Sequence, residues 1–270
     1  MLWLQEYTDK IRSHLSAGDP KSLTYAALEA RLALERVCYE RLRIAHKYIS
    51  SDDLRTWKPQ YVVQTVMEMV DPKIASEWQL QIGSKPDDDS SEFIPIGTQK
   101  GFDPKYINQL WQAMSSFLHC DVPRESTQSI SHYKPQEKMK QKIEETLCEL
   151  DRIAEGSMMG ALVLRQINFE CVCGQINGRS AIVLRNDDIV NCVKEGCKEQ
   201  YRIEKKDDEF FFERRVQHVE CHKCGTKDRF KYREFHDLRK DQAAWFFCTE
   251  CGEKNTFMWR LMQVKRKEAD

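Results

Sequence analysis

Two pairs of cysteines near the C-terminus constrain this chain more than any other feature. Cys221 and Cys224 are separated by two residues, Cys248 and Cys251 have the same spacing, and a glycine follows each pair. Two thiolates this close in sequence can bind one tetrahedral metal ion only where the chain reverses tightly, and glycine can adopt the positive φ that ends such a reversal. The spacing therefore predicts one structural zinc site formed by the two pairs.

A less regular set of cysteines lies upstream. Cys171 and Cys173 are separated by one residue, and Cys192 and Cys197 are separated by four. This set predicts a second four-thiolate site, so we expect two structural Zn²⁺ ions in all. Iron is the alternative metal for these ligands, and an interleaved assignment of the pairs to the two ions is the alternative arrangement. The remaining cysteines are single, which is typical of small buried apolar residues: Cys38, Cys120 and Cys148.

Disulfide bonds are the rival interpretation of paired cysteines, and the cellular compartment decides between the two. The first residues lack a charged segment followed by a long apolar one, which argues against a secretory signal. No apolar run approaches the roughly twenty residues of a membrane span. We therefore expect a cytoplasmic protein without membrane contact, in which paired cysteines favour metal over disulfide.

Composition divides the chain of 270 residues into two parts. Before about residue 167, leucine, alanine, glutamate and arginine recur with helical periodicity; after it come the paired cysteines, glycines and short β-branched and aromatic runs. We predict an α+β protein, with an antiparallel helical bundle over residues 1–166 and a small β-rich domain with two zinc-ribbon-like sites over residues 167–270. The formal net charge of −1 does not suggest a general cationic coat for nucleic acid.

Helix starts in the first part are marked by the dipeptide Asp-Pro, which occurs at 19–20, 71–72 and 103–104. Aspartate is a favoured N-cap, and proline fits the first helical position. The helix from Pro20 is predicted to run to about Tyr48. With a short helix over 2–16 and a final one over 136–164, these starts predict a four-helix bundle with a small insertion around a polar loop at 83–92.

Two residues of the helical part are candidates for a functional site. Arg41 lies on the apolar face of the helix from Pro20, in line with Leu34, so its guanidinium must be paired inside the protein or open into a cleft. A structural ion pair is the alternative to a functional role. His119 ends the helix that begins at Pro104, away from its apolar stripe, where the helix macrodipole would stabilise an imidazolium.

The helical part resembles the HEPN superfamily, helical-bundle domains found in bacterial toxins and phage-defence proteins. The resemblance rests on segments 28–41 and 111–121 and covers about residues 20–160. Many members of that superfamily are metal-independent ribonucleases with an Arg-x4–6-His motif. The resemblance implies that Arg41 would hold phosphate and His119 would assist proton transfer for attack by the RNA 2′-hydroxyl.

The sequence departs from that motif. No arginine stands four to six residues before His119. The literal match joins Arg41 to His46, whose side chains lie about 140° apart around a continuous helix and would not face one phosphate together. A degenerate domain used for dimerisation or partner contact is therefore the alternative implication of the resemblance.

Basic and aromatic residues alternate after the first downstream cysteine pair. We predict a strand over 229–233, with basic side chains on one face as a phosphate track and with Phe230 and Tyr232 on the other. A second basic segment lies near the C-terminus, in a stretch from 257 to 267 without acidic residues. The candidate nucleic-acid-binding residues are Lys227, Arg229, Lys231, Arg233, Lys265, Arg266 and Lys267. The alternative is that these charges are merely solvated and the aromatic side chains form the ribbon core.

Two functions follow from these features. The first is a zinc-binding protein that contacts nucleic acid or a protein partner, as a component of a bacterial defence or toxin system, with a helical domain that forms a homodimer or docks. The second is a ribonuclease that acts through Arg41 and His119 while the zinc ribbon positions RNA. Hydrolysis catalysed by zinc is not expected, because a zinc ion with four thiolates has no open coordination position for water.

Overall fold

The chain divides into two compact units, one mainly helical and one built from small sheets. The computed structural model describes residues 2–51, 53–54, 56–83, 92–120, 135–159, 165–240 and 242–258. The first unit comprises Met1–Gln166 with Arg179–Val183, and the second comprises Ile167–Gly178 with Leu184–Asp270. The protein is therefore of the mixed helix-and-strand class, with N-terminal helices and small C-terminal sheets. Among the residues that the structure describes, every helix is too short or too polar to span a lipid bilayer.

The first unit combines helices with one β-hairpin. Its elements in the described ranges are α1 (Leu2–Ala17), α2 (Pro20–Ala45), a 3₁₀ turn (His46–Tyr48), α3 (Pro59–Met69), β1 (Trp78–Gly83), β2 (Phe93–Gln99), α4 (Pro104–Phe117) and α5 (Gln136–Ala154). Helix α2 contacts the other four helices. Its predicted apolar face is confirmed, because Leu34, Val37 and Cys38 are fully buried in the shared core.

The cysteine-rich part consists of short strands paired with their sequence neighbours. They are β3 (Gln166–Glu170), β4 (Ile176–Ser180), β5 (Ile189–Asn191), β6 (Gln200–Lys206), β7 (Glu209–Arg214), β8 (Val216–Glu220), β9 (Lys227–Lys231), β10 (Ala243–Phe247) and β11 (Lys254–Met258), with a short helix α6 (Tyr232–His236). The sheets are β3–β4, β5–β6–β7, β8–β9 and β10–β11. This part of the chain therefore holds no sheet larger than three strands among its described residues.

Two of the three Asp-Pro helix starts are confirmed, and the third is wrong. The carboxylate of Asp19 accepts hydrogen bonds from the backbone N–H groups of Lys21 and Ser22, and Asp103 accepts one from Lys105, each directly before the proline that begins a helix. At Asp71 the carboxylate accepts from the backbone N–H of Lys73, but the chain forms turns there instead of a helix. An N-cap hydrogen bond is therefore compatible with an isolated turn as well as with a helix.

Other boundaries also differ from the sequence-based predictions. Helix α3 and the β1–β2 hairpin were not predicted, and the polar loop at 83–92 joins β1 to β2, with residues 84–91 outside the described part. The final helix ends at Ala154 instead of 164, before Gly156, whose added Cβ would lie 3.1 Å from the backbone of Lys100 and of Thr98. Helix α4 ends at Phe117, so His119 lies after the helix and not at its last position.

Arg41 is a buried cation that lacks a carboxylate partner among the described residues. Its side chain has 0% exposure, Nη1 donates to the Gln99 side-chain oxygen over 2.7 Å, and Nε has no hydrogen-bond partner. The Gln99 amide nitrogen donates in turn to the carbonyls of Ile74 and Ser76. Burial lowers the pKa of Arg41 to about 10, so the guanidinium stays charged at neutral pH. The structure thus connects Arg41 to the end of β2 through neutral acceptors, not through the ion pair that the sequence suggested.

We expect Gln99→Leu to destabilise the first unit more than Arg41→Met. The first change leaves a buried charge without its closest acceptor, which costs about 2–4 kcal/mol, whereas the second removes the charge and keeps an unbranched apolar chain. Urea unfolding followed by the helical circular dichroism signal measures both. Gln79→Leu, on the exposed side of β1, is the matched control and should change stability by less than about 0.5 kcal/mol. Equal losses for Gln99→Leu and Arg41→Met would contradict the burial argument.

Candidate metal centres

The eight paired cysteines form two separate groups of four. Cys171, Cys173, Cys192 and Cys197 form one group, here called the upstream centre. The other group, here called the downstream centre, consists of Cys221, Cys224, Cys248 and Cys251. Within each group all Sγ atoms lie within 4.8 Å of one another, so each group could hold a metal ion. This grouping follows the order of the sequence, not the interleaved alternative.

The sulfur positions match a tetrahedral ion and exclude disulfide bonds. The closest Sγ–Sγ distances are 3.7 Å for Cys171–Cys197 and 3.8 Å for Cys173–Cys192 in the upstream centre. In the downstream centre they are 3.7 Å and 3.6 Å. A tetrahedron with metal–sulfur bonds of about 2.3 Å has sulfur–sulfur edges of about 3.8 Å. A disulfide needs about 2.05 Å, so these thiols are spaced for a shared ion and not for a covalent bond.

Each cysteine pair lies at the turn between two paired strands, and all four turns share a backbone pattern. The residue after the second cysteine has positive φ, with 79° at Gly174, 59° at Lys198, 75° at Gly225 and 70° at Gly252. The N–H of each first cysteine donates to the carbonyl two residues beyond the second one, over 2.9–3.0 Å. The glycine role predicted for the downstream pairs is therefore confirmed, while the last upstream turn uses a lysine in the same conformation.

A second repeated feature joins the two turns of each centre. In the downstream centre the Asp228 carboxylate accepts from the Thr249 hydroxyl over 2.6 Å and from its N–H, and the Asn255 side-chain oxygen accepts from the N–H of His222. In the upstream centre, Asn177 accepts from the N–H of Val193 in the same way. The fourth such contact is the N–H of Val172 donating to the hydroxyl of Tyr201 over 3.0 Å.

These four acceptors occupy one sequence position, which we call the bridging position. Each stands four residues after the second cysteine of its own pair, and each accepts from the residue that follows the first cysteine of the opposite pair. All four side chains are buried: Asn177, Tyr201, Asp228 and Asn255. The bridging residues therefore fix the position of the opposite turn and complete the support around the thiolates.

Sequence reasoning missed the bridging residues, although a signal was present. Cys-Gly-x-x-Asn occurs at 173–177 and again at 251–255, and Cys-Gly-x-x-Asp occurs at 224–228. Asparagine and aspartate have short side chains that hydrogen-bond readily to a neighbouring backbone. The repeated position after Cys-Gly thus indicated a structural role, but only the fold shows which backbone each side chain reaches.

The environment of the thiols differs within each centre, where the pKa is lowered for some cysteines and raised for others. The backbone N–H of Cys224 is the largest cause that lowers the pKa of Cys221, to about 6. Burial raises the pKa of Cys192, to about 12. Only the thiolate form binds metal, so an ion entering these sites would displace protons, more of them where burial favours the thiol.

The strand predicted over 229–233 is partly wrong. The strand ends at Lys231, and Arg233 lies in α6, where its guanidinium pairs with Asp237. Lys231 donates from Nζ to the carbonyl of Cys197 over 3.0 Å, which links the downstream hairpins to the upstream centre. Lys227 and Arg229 are exposed on one face of β9, as the alternation predicts. The strand stops before Tyr232, because that residue begins α6, with its ring stacked on His236 at 3.8 Å.

The remaining predicted site residues are not brought together by what the structure describes. Arg41 is buried, as described above, and His119 is exposed beyond α4. Lys265, Arg266 and Lys267 lie outside the described residues. No family model, no curated protein and no solved structure matches this chain.

We expect Asp228→Ala to weaken metal binding at the downstream centre about 10- to 100-fold, because the Thr249 turn loses its acceptor. Asp228→Asn keeps a side-chain oxygen at the same place and should lose much less. Competition against a chromogenic metal chelator measures both. The supporting role of the bridging position would be wrong if Asp228→Ala binds metal as tightly as the unchanged protein, or if Asp228→Asn loses as much as Asp228→Ala.

Proposed function

We propose that this chain is a zinc-binding protein whose two metal centres are structural and whose C-terminal unit binds nucleic acid. The observation that supports a structural role is the closure of each centre. Four thiols surround each candidate metal position, and bridging residues hold the turns that carry them. A tetrahedral ion with four protein thiolates keeps no position for water or substrate, so the centres would stabilise the fold instead of catalysing a reaction.

Zinc is the metal that the ligand set favours. An all-thiolate tetrahedral site suits zinc or iron, and zinc commonly occupies pairs of short cysteine turns of this kind. The sheets also need a metal, because each contains only two or three short strands. A hairpin of this size is marginal on its own, so thiolate–zinc bonds would supply much of the folding free energy of this unit.

Nucleic-acid binding is supported by the outward face of β8–β9. Lys227 and Arg229 are exposed there, on a strand whose position is fixed by the downstream centre. Directly across the sheet, His218 faces Arg229 and Glu220 faces Lys227. The face is thus mixed in charge, and its two exposed cations can contact phosphate. A protein partner is the alternative ligand for this surface.

The role of the helical unit stays a prediction. We propose that its helices form an antiparallel bundle of HEPN type that dimerises or docks, in a cytoplasmic defence or toxin system. What supports this is the arrangement of four helices around α2 in one core. The ribonuclease alternative is less well supported, since the buried Arg41 side chain presents no surface to a phosphate.

We expect Cys221→Ser to lower the metal content from two ions to one per chain and to unfold the β8–β11 hairpins. The reason is that a missing thiolate removes most of the metal-binding free energy on which these hairpins depend. Metal analysis and near-ultraviolet circular dichroism measure the two effects. Cys148→Ser is the matched control and should change neither, because this single cysteine of α5 is exposed, not buried as the sequence predicted. A protein that keeps its fold in excess chelator would show that the centres are not structural.

We expect Lys227→Gln and Arg229→Gln to weaken nucleic-acid binding and to lower the slope of log K against log salt by about 0.7–0.9 for each phosphate that the variant leaves unneutralised. Fluorescence anisotropy with labelled RNA and DNA measures this, and Lys240→Gln, an exposed lysine outside the strands, is the control. The same preparations test the alternative: cleavage of mixed RNA that His119→Ala abolishes would favour the ribonuclease. If the unchanged protein binds no nucleic acid, the proposed function is wrong.

A further inference from the structure

The two hairpins of the downstream centre present equivalent faces with different chemistry. Counted from the first cysteine, His218 and Glu220 in β8 occupy the positions of Trp245 and Phe247 in β10. Both hairpins have the same strand register relative to their cysteine pairs. The first hairpin forms its half of the centre with a histidine and a glutamate at these positions. Metal binding therefore does not require the two aromatic residues of the second.

The ribbon core does not require them either. The opposite face of β10–β11 holds Phe246 and Phe257, whose rings stack on each other at 5.8 Å. Phe230 contacts Phe246 at 4.4 Å, and Phe235 contacts Phe257 at 5.3 Å. The aromatic core lies on that side of the strands. Trp245 and Phe247 alternate with Phe246 along β10, so they point away from this core.

The outward face of β10–β11 is an exposed aromatic surface. Trp245 and Phe247 are each 59% exposed, and Met258, on the neighbouring strand, is 55% exposed. We call this set, together with Ala243, Lys254 and Thr256, the aromatic face. A contiguous patch of large apolar side chains on a small unit usually marks a binding surface.

The chemistry of the aromatic face suits one class of ligand. The Trp245 and Phe247 rings lie 5.5 Å apart at 71°, and the Nζ of Lys254 lies 4.9 Å from the centre of the indole ring. Lys254 is the only charged residue among the six, so the face offers planar rings and a cation without any carboxylate. An unpaired nucleobase stacks on an aromatic ring, and its phosphate accepts from a neighbouring lysine.

We propose that the aromatic face binds single-stranded nucleic acid, with bases stacked on Trp245 and Phe247 and with Lys254 at the phosphate backbone. The proposal rests on the proposed nucleic-acid-binding function and specifies the form of nucleic acid that is bound. Duplexes are poor ligands for this face, because their bases are already stacked inside the helix. The exposed cations of β8–β9 then serve phosphate contact, while β10–β11 selects for unpaired bases.

The test uses the metal-loaded full chain and a fluorescein-labelled oligouridylate of about 12 nucleotides, with a duplex of equal length for comparison. Trp245→Ala and Phe247→Ala should each weaken single-strand binding about 5- to 150-fold, the loss measured when one stacked base loses its ring. Their slope of log K against log salt should stay unchanged. Trp245→Phe keeps a ring and should lose much less. Lys254→Gln should instead lower the slope by about 0.7.

Phe211→Ala is the matched control for these variants. Phe211 is 45% exposed on β7, and Lys206 lies 5.6 Å from its ring centre, so it repeats the ring-and-lysine arrangement outside the aromatic face. Binding by Phe211→Ala should equal that of the unchanged protein. Folding should be intact in every variant, because the substituted side chains are exposed. A content of two metal ions per chain checks this.

The outcomes separate this inference from the proposed function. If the double variant Trp245→Ala/Phe247→Ala binds the single strand as tightly as the unchanged protein, the inference is wrong. The proposed nucleic-acid binding then stands, and a protein partner is left as the ligand of the aromatic face. Equal affinity for the duplex and the single strand overturns it in the same way. An unchanged protein that binds neither form overturns both proposals together. Loss in the aromatic variants at constant salt slope, with Phe211→Ala unaffected, supports the stacking surface.

Discussion

The fold of the C-terminal unit depends on its two groups of four cysteines, because each group brings two hairpins together. Its strands are too short to be stable as separate hairpins, and no sheet among its described residues exceeds three strands. Each bridging residue adds a hydrogen bond from its own hairpin to the opposite turn, as Asp228 does to Thr249. Each hairpin of a centre therefore supplies half of the thiols and the hydrogen-bond acceptor for the turn of the other.

This arrangement assigns different tasks to the two faces of each hairpin. The inward face supplies bridging residues and ring contacts, as Asn255 and Phe257 do in β11. The outward face is free of metal and core requirements, which is why His218 and Trp245 can occupy equivalent positions. An ion held by four thiolates would have no open coordination position, so any binding of a ligand by this part of the chain would use the outward side chains.

The sequence allowed prediction of the two groups of cysteines and of helices α1, α2 and α4, because thiolate spacing, Asp-Pro caps and apolar periodicity are local signals. It did not allow prediction of α3, of the early end of α5 or of the acceptor of Arg41. Gln99 lies 58 residues from Arg41, and nothing local marks it as the partner. The predicted extension of the strand beyond Lys231 was wrong for a related reason. Basic and aromatic residues continue to alternate in the sequence after the strand has ended and helix α6 has begun.

The segment Arg179–Val183 belongs to the helical unit although it follows the first cysteine pair along the chain. Neither unit is therefore continuous in sequence, and no single cut separates them cleanly. During synthesis the helical unit cannot be complete until Val183 has left the ribosome, by which time Cys171 and Cys173 are already exposed without their partner pair. A fragment that stops at Gln166 would lack Arg179 and Ser180, which are buried in the full chain, so it would not reproduce the helical unit.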